Sequence, residues 1–200
     1  MILYLHGFLS TGNSYKAQWI RQAFASLNKP GLAVLTPTYP MVSPQASMAA
    51  IERCVLEAGL QNHQAWCVFG SSMGGFYGRY IAQRYGVGVC MINPALQPEP
   101  ILRPHLGEHR HPSSGEVITL NESYLQNLHA YQSDVDPQQM ALVLLDKGDE
   151  VIPYESAFEA YNPLGQVRLF EGGDHAFQHL DQAWPDMVRF VEQTVGVSLS

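Results

Sequence analysis

Six short apolar runs alternate with longer segments of helical character along this chain of 200 residues, and that rhythm constrains the fold more than any other feature. The runs are ILYL (2–5), LAVL (32–35), AWCVF (65–69), VGVCMI (87–92), ALVLL (141–145) and QVRLF (166–170). Each has strand length and few polar interruptions, as expected of strands covered on both faces and therefore largely parallel. Helical segments are expected at about 14–27, 44–59, 73–85, 154–161 and 183–195, with Asn13 or Ser14 capping the first and Ser43-Pro44 opening the second. The sequence thus predicts a doubly wound α/β fold, a compact, mostly parallel sheet of about six strands with helices on both faces. One segment breaks the rhythm. Residues 97–133 carry several prolines and four of the eight histidines, and are expected to form an irregular, lid-like excursion within a single domain spanning 1–200.

With 46% hydrophobic residues the chain can fill a large core, and a net charge of −7 without any Lys/Arg block argues against nucleic acid as a partner. Cys54, Cys67 and Cys90 lie in apolar segments without metal-ligand spacing, so they read as reduced core residues. The opening MILYLHGF lacks a basic leader region and its apolar run stops at His6-Gly7, which suits a strand rather than a secretory signal. No run approaches the ~18 apolar residues of a membrane span. A soluble cytoplasmic protein, with no membrane partner, is expected; the sequence does not specify its oligomeric state.

The chemistry concentrates in CVFGSSMGGFYGRY, residues 67–80. A strand that turns sharply into a helix exposes one side chain at the turn and needs small residues two positions to either side. Ser71 has Phe69 and Met73 there, whereas Ser72 has Gly70 and Gly74, with Gly75 beyond. Ser72 is therefore the candidate nucleophile, the rival reading being a glycine-rich turn with a capping serine. A serine hydroxyl needs an imidazole to take its proton, and the imidazole needs a carboxylate to fix its tautomer. In α/β-hydrolases these follow in the order Ser, acid, His, on loops after later strands. Asp146, Asp149 and Glu150 compete after ALVLL; Asp149 sits beyond the strand end and before a helix, and Asp146 is held in reserve. After QVRLF, Gly172 and Gly173 lead to His175, with His179 as the alternative.

The loop after the first strand supplies the remaining part. Backbone N–H groups of Phe8 and Met73 are the expected oxyanion donors, and His6 reads as a brace for that loop. Leu9, Phe76 and Tyr77, with Phe8, are candidates for a substrate pocket, although aromatics at such places are as often core. His105, His109 and His111 crowd one loop without a completing ligand set, and read as a solvated or cleft-rim loop rather than a metal site. Asn93-Pro94 follows a strand and is expected at most to brace the site.

With these residues in view the chain resembles the α/β-hydrolase superfamily, and more closely the small bacterial YqiA/YcfP-type esterases. The motifs that carry the resemblance are LYLHGFLS, GSSMGGFY, INPAL (92–96), GDEVIPY (148–154) and EGGDHAF (171–177), which together span nearly the whole length. The resemblance implies a triad of Ser72, Asp149 and His175, esterase-type hydrolysis and no large separate cap. The expected function is a serine esterase acting on a small-molecule acyl ester, without metal or organic cofactor. The same machinery on a thioester, amide or acyl acceptor is the nearer alternative, and a non-catalytic binding protein with a hydrolase shell the more distant one.

Overall fold

The computed structural model describes residues 1–62 and 65–199. In chain order the elements are β1 (Ile2–Leu5), α1 (Tyr15–Ser26), β2 (Val34–Leu35), α2 (Pro44–Glu57), β3 (Cys67–Ser71), α3 (Met73–Tyr85), β4 (Gly88–Ile92), α4 (Pro98–Leu102), β5 (Gly107–Arg110), β6 (Val117–Leu120), α5 (Glu122–Leu128), β7 (Ala141–Asp146), α6 (Glu155–Tyr161), β8 (Val167–Phe170) and α7 (Leu180–Val195). Ser14 caps α1 through Ala17 N–H, and Ser43 caps α2 with Pro44 in its first turn.

Six strands form one parallel sheet in the order β2-β1-β3-β4-β7-β8. Alternate residues on each strand point to opposite faces, and here both faces are apolar. Leu3, Leu5, Val68, Val89, Met91, Val143 and Leu145 pack with α2, α3 and α5. Their neighbours Ile2, Tyr4, Cys67, Phe69, Cys90, Ile92, Leu142 and Leu144 pack with α1 and α7 on the other face. Full burial of one such aliphatic or aromatic side chain is worth about 1.5–3 kcal/mol, so a strand apolar on both sides is stable only between two helical layers. Helix α7 shows the match from the helix side: Ala183, Met187, Phe190 and Val191 form one buried stripe against the sheet. Cys67 and Cys90 are fully buried in this layer, and burial pushes the Cys67 thiol up to about 12.

The segment 97–133 departs from expectation. It is not irregular: it contains α4, the antiparallel hairpin β5–β6 with its register running from Gly107↔Leu120 to Arg110↔Val117, and α5. Ile118, Leu120, Tyr124 and Leu125 anchor it in the core, while β5 itself is mostly exposed.

The chain leaves β1 for β2 on one side and returns to β3 on the other. The loops after β1 and β3 therefore part at the carboxyl edge of the sheet, where open α/β sheets form a crevice.

Candidate active site

Ser72 follows β3 directly and sits at φ 56°, ψ −121°. That left-handed backbone is costly for a residue with a Cβ, and persists only where the surroundings enforce it. The surroundings are close-packed backbone. A Cβ on Gly70 would lie 2.2 Å from Gly74 O, and one on Gly74 would lie 2.1 Å from Leu5 O. The glycines let β3, α3 and the β1 loop approach within contact distance, and the turn has no other path. Three further non-glycine residues with positive φ stand in the loops that carry or brace the site: Leu9 (55°) after β1, Asn93 (41°) after β4 and Phe177 (63°) after His175. Ser71 ends β3 opposite Ile92 and is 2% exposed. Ser72 occupies the N-cap position of α3, yet its side chain caps nothing.

That side chain meets an imidazole instead. Ser72 Oγ lies 3.1 Å from His175 Nε2, and His175 Nδ1 lies 2.9 and 3.0 Å from the two carboxylate oxygens of Asp149. A carboxylate only accepts, so Nδ1 carries the proton and Nε2 presents its lone pair to the hydroxyl. The Asp149 side chain is 1% exposed, and Oδ1 also accepts the N–H groups of Val151 (2.9 Å) and Ile152 (2.8 Å). The three acids that compete in the sequence have three different tasks. Asp149 takes the imidazole, Glu150 accepts the His175 N–H at 3.1 Å, and Asp146 pairs with His179 at 2.6 Å. The reserve residues Asp146 and His179 thus bind each other, away from the serine.

The histidine loop is fastened on three sides. Asn93 Nδ2 donates to Asp174 O at 3.0 Å while Asn93 Oδ1 accepts the Asp146 N–H at 2.9 Å, tying the loop to β4 and β7. Lys16 Nζ donates to Ala176 O at 2.8 Å, tying it to α1. Burial pulls the Lys16 ammonium below its usual range, against the opposing pull of Asp174, Asp149 and Asp146.

On the β1 side, His6 is wholly buried and stacked on Tyr39, ring centroids 3.9 Å apart. Its Nδ1–H donates to Gly7 O at 2.9 Å and its Nε2 accepts the Tyr39 N–H at 3.3 Å, which fixes the neutral ring and braces the loop. Desolvation lowers its pKa from 6.5 to about 4. Gly7 lets this loop pack on the serine: a Cβ there would sit 3.3 Å from Ser72 Cβ. The N–H of Ser72 is taken by Ile92 O at 3.0 Å, whereas those of Phe8 and Met73 donate to no protein group among the described residues.

A cavity of about 320 Å³ opens at Ser72 and His175, walled by Phe8, Leu9, Ile101, Leu102, Val151 and Ile152. Of the residues expected to line a pocket, Leu9 does so. Phe76 and Tyr77 do not: both are fully buried in the core beneath α3, one turn past the serine. His105 and His109 line the cavity, as a cleft-rim loop would, but His111 is not solvated. It is 7% exposed, and its Nε2–H donates to Ser10 O at 3.0 Å, latching the β5–β6 hairpin to the loop that carries Phe8. No group of three or more His, Cys, Asp or Glu residues is placed to hold a metal, and no helix is long and apolar enough to cross a membrane, among the described residues.

The model of the uncharacterised protein family UPF0227 matches residues 1–192. The chain belongs to UPF0227. This is the family of YqiA/YcfP type whose motifs the sequence carries. A UPF0227 protein from Shewanella sp. (strain ANA-3) is 24% identical over 193 residues, covering 95% of this chain and 98% of the relative. Another, from Serratia proteamaculans (strain 568), is 25% identical over 182 residues, with 90% and 92% covered. Among solved structures, this UPF0227 member is similar to Est1E from Butyrivibrio proteoclasticus, at TM-score 0.72 and 16% identity over 98% of this chain and 88% of that one. A putative hydrolase from Agrobacterium vitis S4 superposes at TM-score 0.74 and 19% identity, covering 96% and 87%. The esterase domain of a Rhodothermus marinus protein gives 0.64 and 19%, covering 98% and 87%. The UPF0227 chain therefore has the α/β-hydrolase fold.

Proposed function

We propose that this protein is a serine hydrolase acting on carboxylic esters, with Ser72 as nucleophile, His175 as general base and acid, and Asp149 as the group that orients the imidazole. The observation that carries this reading is the unbroken line Ser72 Oγ–His175 Nε2 (3.1 Å), His175 Nδ1–Asp149 (2.9 Å). In the acylation step Ser72 Oγ bonds to the acyl carbon as its proton passes to His175 Nε2. The carbonyl oxygen, now an oxyanion, is held by the free N–H groups of Phe8 and Met73. Donors of this kind are each worth about 10²–10³ in rate elsewhere. Collapse of the tetrahedral species breaks the bond to the alcohol, which leaves with the proton from His175. Water then repeats the sequence on the acyl-enzyme, releasing the acid and restoring the serine. The buried carboxylate of Asp149 stabilises the imidazolium at each transfer. The apolar wall of the 320 Å³ cavity supports an ester with an apolar portion beside the scissile bond.

A fluorophosphonate probe with peptide mass spectrometry tests the reading without knowledge of the substrate. The expected result is a single adduct on Ser72, lost in His175→Ala, together with p-nitrophenyl ester turnover that falls by roughly 10⁶ in Ser72→Ala, as in another serine hydrolase. An adduct on Ser71, or folded protein that takes no probe, overturns it.

A further inference from the structure

Helix α3 carries Ser72 at its N-cap and Arg79 seven residues later. Seven residues fall just short of two turns, so Arg79 follows Ser72 on nearly the same helix face, about 10 Å along the axis. Arg79 is 2% exposed. Its Nη2–H donates to Leu96 O at 3.0 Å, its Nε–H has no partner, and no carboxylate pairs with it among the described residues. A guanidinium presents five N–H donors and does not deprotonate, so this is a buried cation with one carbonyl and the Tyr161 hydroxyl beside it and no anion. Leaving such a charge unpaired is strongly unfavourable.

The groups around it do not neutralise it. The Tyr161 hydroxyl interacts with the guanidinium, which opposes the upward push of burial on its pKa, but a neutral hydroxyl offers dipole and no counter-charge. Leu96 O keeps a partner without the arginine, because Gln132 Nε2 donates to the same oxygen at 3.1 Å. What Arg79 does border is a cavity of about 640 Å³. Ile101, His105, Val151 and Ile152 line both that cavity and the one at Ser72, so the two cavities adjoin. The carboxylate on the same wall, Asp134, is exposed and makes no ion pair with Arg79.

We infer that Arg79 is the anion-binding end of the substrate site, and that the substrate is an ester bearing a carboxylate or phosphate group separated from its scissile carbonyl by a chain on the order of the ~10 Å backbone rise between the two residues. The inference rests on the hydrolase reading of Ser72 and narrows its substrate class. An oxyacid docked there gives the guanidinium the two-oxygen partner it lacks, and the apolar chamber between accommodates the connecting chain. At roughly 1.2 Å per bond of an extended chain, eight bonds span the distance, which is the separation of the two carboxyl carbons in nonanedioic acid.

The test compares three p-nitrophenyl esters of equal chain length, ending in a carboxylate, a phosphonate or a methyl-capped carboxylate. At low salt one of the anionic esters is expected to exceed the capped ester at least tenfold in kcat/KM, and which one does identifies the anion. The ratio falls to near one in Arg79→Met, and likewise in Arg79→Gln, which keeps a donor for Leu96 O should the first variant fold poorly. Binding is read separately from turnover: nonanedioate, or the matching phosphonate, raises Tm of the wild-type chain while the diamide does not, and the rise is lost in either variant. Equal turnover of all three esters, or the same preference in the variants, overturns the assignment of Arg79. A Ser72 adduct without any anion preference leaves the hydrolase reading standing and removes this one. Anion stabilisation lost in Arg79→Met, in a chain that takes no fluorophosphonate, overturns the hydrolase reading and the ester with it, and leaves Arg79 as an anion-binding residue only.

Discussion

Asp146 and His179 form a second carboxylate–imidazole pair, Oδ1 to Nδ1 at 2.6 Å, that makes no hydrogen bond to Ser72. Asp146 is fully buried, and its other oxygen accepts the N–H groups of Gln178 (2.8 Å) and Asp174 (3.3 Å). One carboxylate thus holds both ends of the turn that presents His175. The approach is so close that a Cβ on Gly173 would fall 1.9 Å from Asp146 Oδ2.

The two aspartates therefore separate stability from turnover. Asp146→Ala strands three donors in the interior, and breaking a buried pair of this kind costs about 3–5 kcal/mol. Asp149→Asn keeps an oxygen for the Val151 and Ile152 N–H groups but offers His175 the wrong partner, which in the comparable substitution of a serine protease lowers kcat by ~10⁴. Thermal unfolding and ester turnover on both variants are expected to show the larger Tm loss for Asp146→Ala and the larger kcat loss for Asp149→Asn. The opposite ranking would place the working carboxylate at Asp146.

Gly74→Ala is expected to be among the most damaging single-methyl additions in the chain. Its new Cβ meets Leu5 O at 2.1 Å and His6 O at 2.6 Å, both backbone atoms that cannot yield without moving β1. Overpacking costs of about 3 kcal/mol or more follow. Gly86→Ala is the informative control: it adds a Cβ in open space at φ +65° beyond α3, and carries only the left-handed penalty of about 1–2 kcal/mol. Urea unfolding of the two variants should rank them in that order. Equal midpoints would mean that the serine turn relaxes more freely than its packing indicates.

These sites differ in how far they can be read from the chain alone. Ser72 is legible because its requirement is local: glycines at 70 and 74 satisfy a steric need within one turn. The acids were harder, since Asp146, Asp149 and Glu150 stand within five residues and only the path of the loop decides which one meets His175. Phe76 and Tyr77 mislead because nearness in sequence to the serine is not nearness to the crevice; one helical turn carries them into the core. The β5–β6 hairpin escapes detection because GEHR has no apolar alternation and its strand is mostly exposed. Nothing in the sequence sets Arg79 apart, because its burial comes from tertiary packing beneath the segment that follows β4.

His6 gives stability a pH dependence of defined sign. Its ring is neutral in the fold, with a pKa lowered from 6.5 to about 4 by burial. Between those values the unfolded chain binds a proton that the folded chain does not, so stability increases with pH across that window. The contribution is complete above about 6.5 and is lost as pH falls towards 4; at 1.36 kcal/mol per unit it amounts to about 3 kcal/mol in all. Below the window the imidazolium has a proton on Nε2 facing the Tyr39 N–H, which turns an acceptor into a clash of donors. His6→Asn should be less stable than wild type near neutral pH, because it gives up the Tyr39 stack and one of the two hydrogen bonds. Its stability should also fall less steeply, by about 2 kcal/mol between about pH 7.5 and about pH 5. Urea unfolding of both proteins across that range isolates the difference, since the other titrating groups are common to both. Parallel curves would mean that His6 is charged or solvated in the fold, and that the loop carrying Phe8 is held by something other than a neutral imidazole.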